Sequence, residues 1–195
     1  MAMWDRLKDQ AKNLQQSQSG RGGGGQGHAP HGQGQRGGHA PGSSSGSGGS
    51  KAQLVGLLKS QLASVKTELK SGAYRDASMA MCALVAAADG YVEQAERQRV
   101  EELIVTNEVL QNFPADQLRQ GFNRHVDRLV ANFEQGKAEA LREIAKAAKK
   151  PQEARAVVQT GIVVAGADGH FELSEQQAIR DACAALGLSP AEFGI

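Results

Sequence analysis

Six carboxylates stand out by type and spacing. Asp89, Glu93 and Glu96 lie in Ala88-Asp89-Gly90-Tyr91-Val92-Glu93-Gln94-Ala95-Glu96. Asp168, Glu172 and Glu175 lie in Ala167-Asp168-Gly169-His170-Phe171-Glu172-Leu173-Ser174-Glu175, 79 residues further on. Both segments follow one template, A-D-G-x-φ-E-x-x-E, with φ apolar. Each follows an apolar run of small residues, and an aliphatic residue (Val100 or Ile179) follows each second Glu at the same distance. Carboxylate oxygens are hard ligands, so a metal held here would be a divalent cation, Ca²⁺ first and Mg²⁺ second, rather than zinc. The template overlays the second half of a calcium loop, in which Asp, Gly, an aliphatic and a final Glu recur in that order. The first half is missing: Val85 and Ala87, or Val164 and Gly166, stand where that loop carries acids. These are not EF-hands.

Placement gives the acids a second meaning. Asp-Gly is expected to end one helix, the glycine supplying a positive φ, and the apolar residue two positions on tucks into the core. Glu93 and Glu172 then stand at the mouth of the next helix, with Glu96 and Glu175 in its first turn, where negative charge suits the positive dipole end. An Asp at a helix C-terminus has the wrong sign and costs up to about 1 kcal/mol unless a cation sits there. Ordinary helix capping explains one such turn; a second in the same register favours a ligand. Paired carboxylates also work as general acid and base in glycoside hydrolysis. A 4% aromatic content and the lack of an evident nucleophile or phosphate loop argue against that. His125, beside an apolar stripe, and His170, in the second turn, both read as structural or surface residues, with His170 also a candidate near the metal.

The elements that must position these residues are helical throughout. Leu54, Leu58, Leu62, Val65 and Leu69 form one stripe, and Leu118, Phe122, Val126, Leu129 and Phe133 another. Leu141, Ile144, Ala145 and Ala148 predict a helix ending at Lys149-Lys150, and Pro151 opens the next. Ser174 with Gln177 has the pattern of a capping box for a helix closed by Gly187. Ser189-Pro190 starts a last short turn. The expected fold is all-α, a bundle of about seven or eight helices. Its two helix–turn–helix hairpins, 74–106 and 152–186, should be related by an approximate twofold.

Composition divides the 195 residues. The first 50 hold 14 of 24 glycines, 5 of 22 basic and 2 of 21 acidic side chains, leaving the rest at a net charge of −2. Residues 1–16 form a short amphipathic segment (Trp4, Leu7, Ala11, Leu14). Residues 17–50, rich in Gly, Ser and His, read as a disordered linker, and 51–195 as the helical domain. A slightly acidic domain with few aromatics excludes nucleic acid as its main partner. His28, His31 and His39 are read as linker. Cys82 and Cys183 have no CxxC spacing and read as buried, reduced thiols of a cytoplasmic protein. No apolar run is long enough to span a bilayer, and the N-terminus lacks the pattern of a secretory signal.

At the acidic turns the chain resembles the tellurite-resistance TerB family. The resemblance is carried by Met79-Ala80-Met81-Cys82-Ala83 leading into Ala88-Asp89-Gly90, by Ala167-Asp168-Gly169-His170-Phe171, and by the closing Ser189-Pro190-Ala191-Glu192-Phe193-Gly194-Ile195. Met3-Trp4-Asp5-Arg6-Leu7-Lys8 is also similar to the family's start. The resemblance implies a compact helical domain with an acidic, metal-binding surface and a non-enzymatic role in tellurite and stress resistance. It implies protein partners, the membrane protein TerC and TerD-like proteins, peripheral association with the inner membrane, and no small-molecule substrate. Carried over by position, the ligands are Asp89, Glu96, Asp168 and Glu175, with Glu93 and Glu172 secondary. The remaining alternative is a metal-free module whose acidic turns meet a basic partner.

Overall fold

A computed structural model describes residues 47–168 and 171–195, with 47–50 and Asp168 described by backbone alone. The amphipathic segment 1–16 and the linker up to residue 46 lie outside the described residues, as do Gly169 and His170. Among the described residues there are seven α-helices and no strand: α1 Ser47–Val65, α2 Gly72–Ala86, α3 Gln94–Thr106, α4 Ala115–Ala131, α5 Phe133–Ala145, α6 Pro151–Ala165 and α7 Leu173–Leu186. Short 3-10 turns occupy Leu110–Asn112, Lys146–Lys149, Gly166–Asp168 and Pro190–Phe193. The all-α expectation holds. The first helix starts at Ser47, four residues ahead of the expected boundary.

The centre of the bundle is the pair α2 and α6. Ala77 to Ala86 are buried without a break, as are Thr160 to Ala165, so each helix is apolar all round and must lie inside. Both are 15 residues long, and their starts differ by 79 residues, as do those of α3 and α7. The helices thus keep the register of the sequence repeat. Each start has its own device. At α2 the Ser71 hydroxyl accepts from the Tyr74 N–H at 3.1 Å, and at α6 a proline sits in the first turn.

The pair runs parallel. At its N-terminal end Ser71 Oγ donates to Glu153 Oε2 at 2.8 Å, and Lys150 Nζ donates to Glu153 Oε1 at 2.9 Å. Further along, the Tyr74 hydroxyl meets Thr160 Oγ1 at 2.9 Å. Beyond that, Met81 covers Gly161 so closely that a Cβ there would stand 2.6 Å from its side chain. Parallel helices bring both C-terminal ends, and the turns that follow them, to the same pole of the bundle.

Around this axis α4 and α5 pack on α2, α5 also packs on α7, and α1 packs on α6. Leu118, Phe122, Val126 and Leu129 of the predicted stripe are buried on α4, but the helix stops at Ala131, and Phe133 opens α5. Asn132 makes that break: its side chain accepts from the Gln135 N–H at 3.1 Å. The helix expected to run to Lys149-Lys150 ends at Ala145 and tightens into the 3-10 turn. Gly187 closes α7 in the left-handed region (φ 70°), where the Leu188 N–H reaches back to the Cys183 carbonyl at 2.9 Å.

Candidate functional site

Neither Asp stands at the α-helical terminus itself. α2 ends at Ala86, and one further turn, Ala87 to Asp89, intervenes before Gly90 at φ 86°. In the second copy a 3-10 turn, Gly166–Asp168, does the same. The extra turn lets the Gly90 N–H reach the Ala87 carbonyl at 2.8 Å. Asp89 Oδ1 accepts from the Tyr91 N–H at 3.0 Å, which orients one carboxylate oxygen and leaves the other to solvent. Val92 and Phe171 tuck against the core as expected.

Glu93 is the residue before α3 and Glu172 the residue before α7. Three residues on, Glu96 is 7% exposed and Glu175 is 4% exposed. The Glu175 carboxylate accepts from the Glu172 N–H at 2.7 Å, and the Glu172 side chain answers by accepting from the Glu175 N–H, a reciprocal capping box. The box expected at Ser174 and Gln177 is not the one formed. Leu173 already begins the helix, so Ser174 lies inside it. In the first copy the Glu96 carboxylate likewise accepts from the Glu93 N–H, but Glu93 makes no side-chain cap.

Burial pushes the Glu96 carboxyl up to about 7, against the Glu93 N–H that favours its anion, and the negative charges of Asp89, Glu93 and Glu172 raise it further. Glu172 belongs to the other copy. Its charge is the weakest of the influences on Glu96, after burial, the Glu93 N–H, Asp89 and Glu93. The charges of Asp89, Glu93 and Glu172 thus all act on Glu96, and Glu175 is bonded to Glu172. The side chain of Asp168 and all of His170 lie outside the described residues. Among the described residues no three His, Cys, Asp or Glu side chains are disposed to hold a metal ion.

Among the described residues the remaining reactive groups offer no alternative centre. Cys82 and Cys183 are buried, free thiols, pushed up by burial to about 12 and about 11, so neither is a thiolate at neutral pH. His125 is buried, in keeping with a structural role, with neither ring nitrogen hydrogen-bonded. The part-buried Ser71–Glu153–Lys150 link escapes sequence reasoning; a Lys three residues before a Glu in a first helical turn is its only local sign. None of the described helices is long and apolar enough to cross a membrane.

A family model described as tellurite resistance protein TerB matches residues 75–195. The chain belongs to the TerB family. The TerB match takes in α2 to the C-terminus, both acidic turns included, and leaves α1 outside it. No curated protein and no solved structure matches the chain.

Proposed function

We propose that this TerB-family protein is a non-enzymatic tellurite- and stress-resistance factor, a divalent-cation-binding scaffold that presents an acidic surface to protein partners. The reading is supported by the repeated acidic template and by the charge of Glu172, from the other copy, acting on the buried Glu96 carboxyl. Crowded carboxylates are stabilised by a proton or a cation, and burial raises the Glu96 carboxyl to about 7. The donor set suits a hard cation, Ca²⁺ or Mg²⁺. Asp89, Glu96, Asp168 and Glu175 would hold it, with Glu93 and Glu172 beside them and backbone carbonyls or water completing the shell. Asp89 and the glutamates of both first turns use part of their acceptor capacity on backbone N–H groups, and each carboxylate has further lone pairs to offer. A bound cation would neutralise the turns and fix their spacing. Partners expected from the family resemblance are the membrane protein TerC and TerD-like proteins, met in the cytoplasm at the inner membrane.

A second reading is favoured by one observation. Tyr91 (60% exposed) and Leu173 (79% exposed) are large apolar side chains set among the carboxylates of the two turns. An apolar contact ringed by negative charge also suits a basic partner surface without any metal. Calorimetric titration of the full chain with Ca²⁺ and then Mg²⁺ separates the two. The scaffold reading expects saturable binding of one or two ions per chain. No heat and no binding up to millimolar metal leaves the metal-free module.

A further inference from the structure

The two hairpins share a register, yet their second helices are seated differently. α7 buries Ala178, Ile179, Ala182, Cys183 and Leu186 and packs on α2, α5 and α6. α3 buries Val100 and Ile104 besides Glu96. At the positions of Ala178, Leu186 and Gly187 the first copy has Arg99, Asn107 and Glu108. Packing of an apolar face is the main force that seats a helix, and α3 has less of it. Its ends are weaker too. Glu93 makes no side-chain cap, and the helix stops at Asn107 in extended backbone, whereas α7 stops at a left-handed glycine.

A polar clamp on α4 holds α3 instead. Arg97 Nε donates to Asn123 Oδ1, and the same guanidinium meets the Asn123 carbonyl at 3.3 Å and Asp127 Oδ1 at 2.8 Å. Asn123 Nδ2 donates to Glu101 Oε1 at 2.8 Å. The clamp lies toward solvent, with the Asp127 side chain 65% exposed. Such bonds contribute little each, because water competes for both partners. On another side α3 borders a groove of about 420 Å³, lined by Lys59 and Leu62 of α1 and by Leu103 and Thr106 of α3. Both flanks can bend. Gly90 holds φ 86° with open space where a Cβ would stand, and Asn107 is already extended.

We propose that α3 is a latch: it opens as a unit about Gly90 and Asn107 while the other described helices stay folded, and it governs when the Glu96 carboxylate meets solvent. Seated, α3 keeps Glu96 buried; released, it frees that carboxylate together with Val100 and Ile104. Elements held by few buried apolar contacts open at lower free energy than the whole fold. The latch needs no cation, so its test is run with chelator present and is independent of metal binding at the turns.

The test is native-state amide hydrogen exchange on the full chain at pH 7 with EDTA. Residues 98–106 should share one protection factor, about a hundredfold below that of 177–186. Ile144→Val trims a buried side chain of α5, which packs on α2, α4 and α7. It should lower the protection of 177–186 about fivefold and leave 98–106 unchanged, because that packing survives in the open form. Asn123→Ala removes the clamp and should lower the protection of 98–106 about fivefold. Equal protection of the two helices, or an equal fall of both in Ile144→Val, would overturn the latch. Protection that declines steadily toward the ends of α3 would mean fraying in place of unit opening and would overturn it as well. Unchanged exchange of 98–106 in Asn123→Ala would overturn the role of the clamp.

Discussion

In the second acidic turn both glutamates serve the backbone, Glu172 and Glu175 capping each other's N–H groups. In the first, Glu96 keeps the reach-back bond, Glu93 caps nothing, and the carboxyl of Glu96 is lifted to about 7. The second turn is also braced from outside: Val55 of α1 and Phe171 close over Gly166, where the first turn has Ala87. One template thus yields a turn whose two glutamates cap each other and another in which Glu96 is buried without a reciprocal cap from Glu93.

That contrast can be broken most sharply at the braced position. A Cβ at Gly166 would lie 2.6 Å from Val55 Cγ2 and 2.7 Å from Phe171 Cε2. Gly166→Leu should therefore cost about 3 kcal/mol in chemical denaturation, at the upper end of overpacking penalties. At the corresponding buried position of the first turn, Ala87→Gly should cost only about 1 kcal/mol. Comparable losses at both sites would remove the claim that the packing over the second turn is the tighter.

The next effect is electrostatic. A carboxyl raised in the folded state holds its proton more tightly there than in the unfolded chain. Stability contributed by Glu96 is then greatest below its ordinary value of 4.5 and is lost as pH rises through about 7. Glu96→Gln keeps an acceptor for the Glu93 N–H and removes the charge. It should stabilise the protein by about 1–3 kcal/mol at pH 8 and by little at pH 4.5. A pH-independent effect would contradict the crowded-carboxylate account.

Capping comes third. Glu175→Ala removes one arm of the capping box and should cost about 1 kcal/mol, whereas Glu93→Ala should change stability by less than about 0.5 kcal/mol. The smallest expected effect is a slope at His125. Burial holds its imidazole below the ordinary value of 6.5, with Arg124 and Arg128 of α4 acting in the same sense and Glu143 of α5 and Asp76 of α2 opposing. Its contribution is present above pH 6.5 and fades as pH falls below it, opposite in sign to Glu96. Replacing it by Phe should flatten the stability profile on the acid side of 6.5.

Much of this is legible in the residues. The 79-residue spacing locates both turns, and the buried runs around Met81 and Ile162 mark the two core helices, because uninterrupted small apolar residues leave a helix no polar face. The capping box falls elsewhere than the pattern suggests because Ser174 is a favoured cap residue and Glu172 is not. The stopping point of α2 differs from expectation by one turn, since Ala87 to Asp89 are compatible with either conformation. Glu153 bonded to Ser71 and the groove beside Lys59 depend on helices far apart in sequence, and no local pattern records them. Superposing 72–106 on 151–185 tests the twofold relation between the hairpins, which unrelated interhelical angles would remove.

The most direct test of the central proposal, that the two acidic turns bind a divalent cation, is the melting temperature against Ca²⁺ for the wild type and for Asp89→Asn with Asp168→Asn. Asn retains turn geometry and loses charge. At a hundredfold excess over Kd, a ligand specific for the folded state adds about 2.7 kcal/mol. The account predicts a Ca²⁺-dependent rise in the wild type that the double variant lacks. Equal responses in the two proteins, or none in either up to millimolar Ca²⁺, would contradict it.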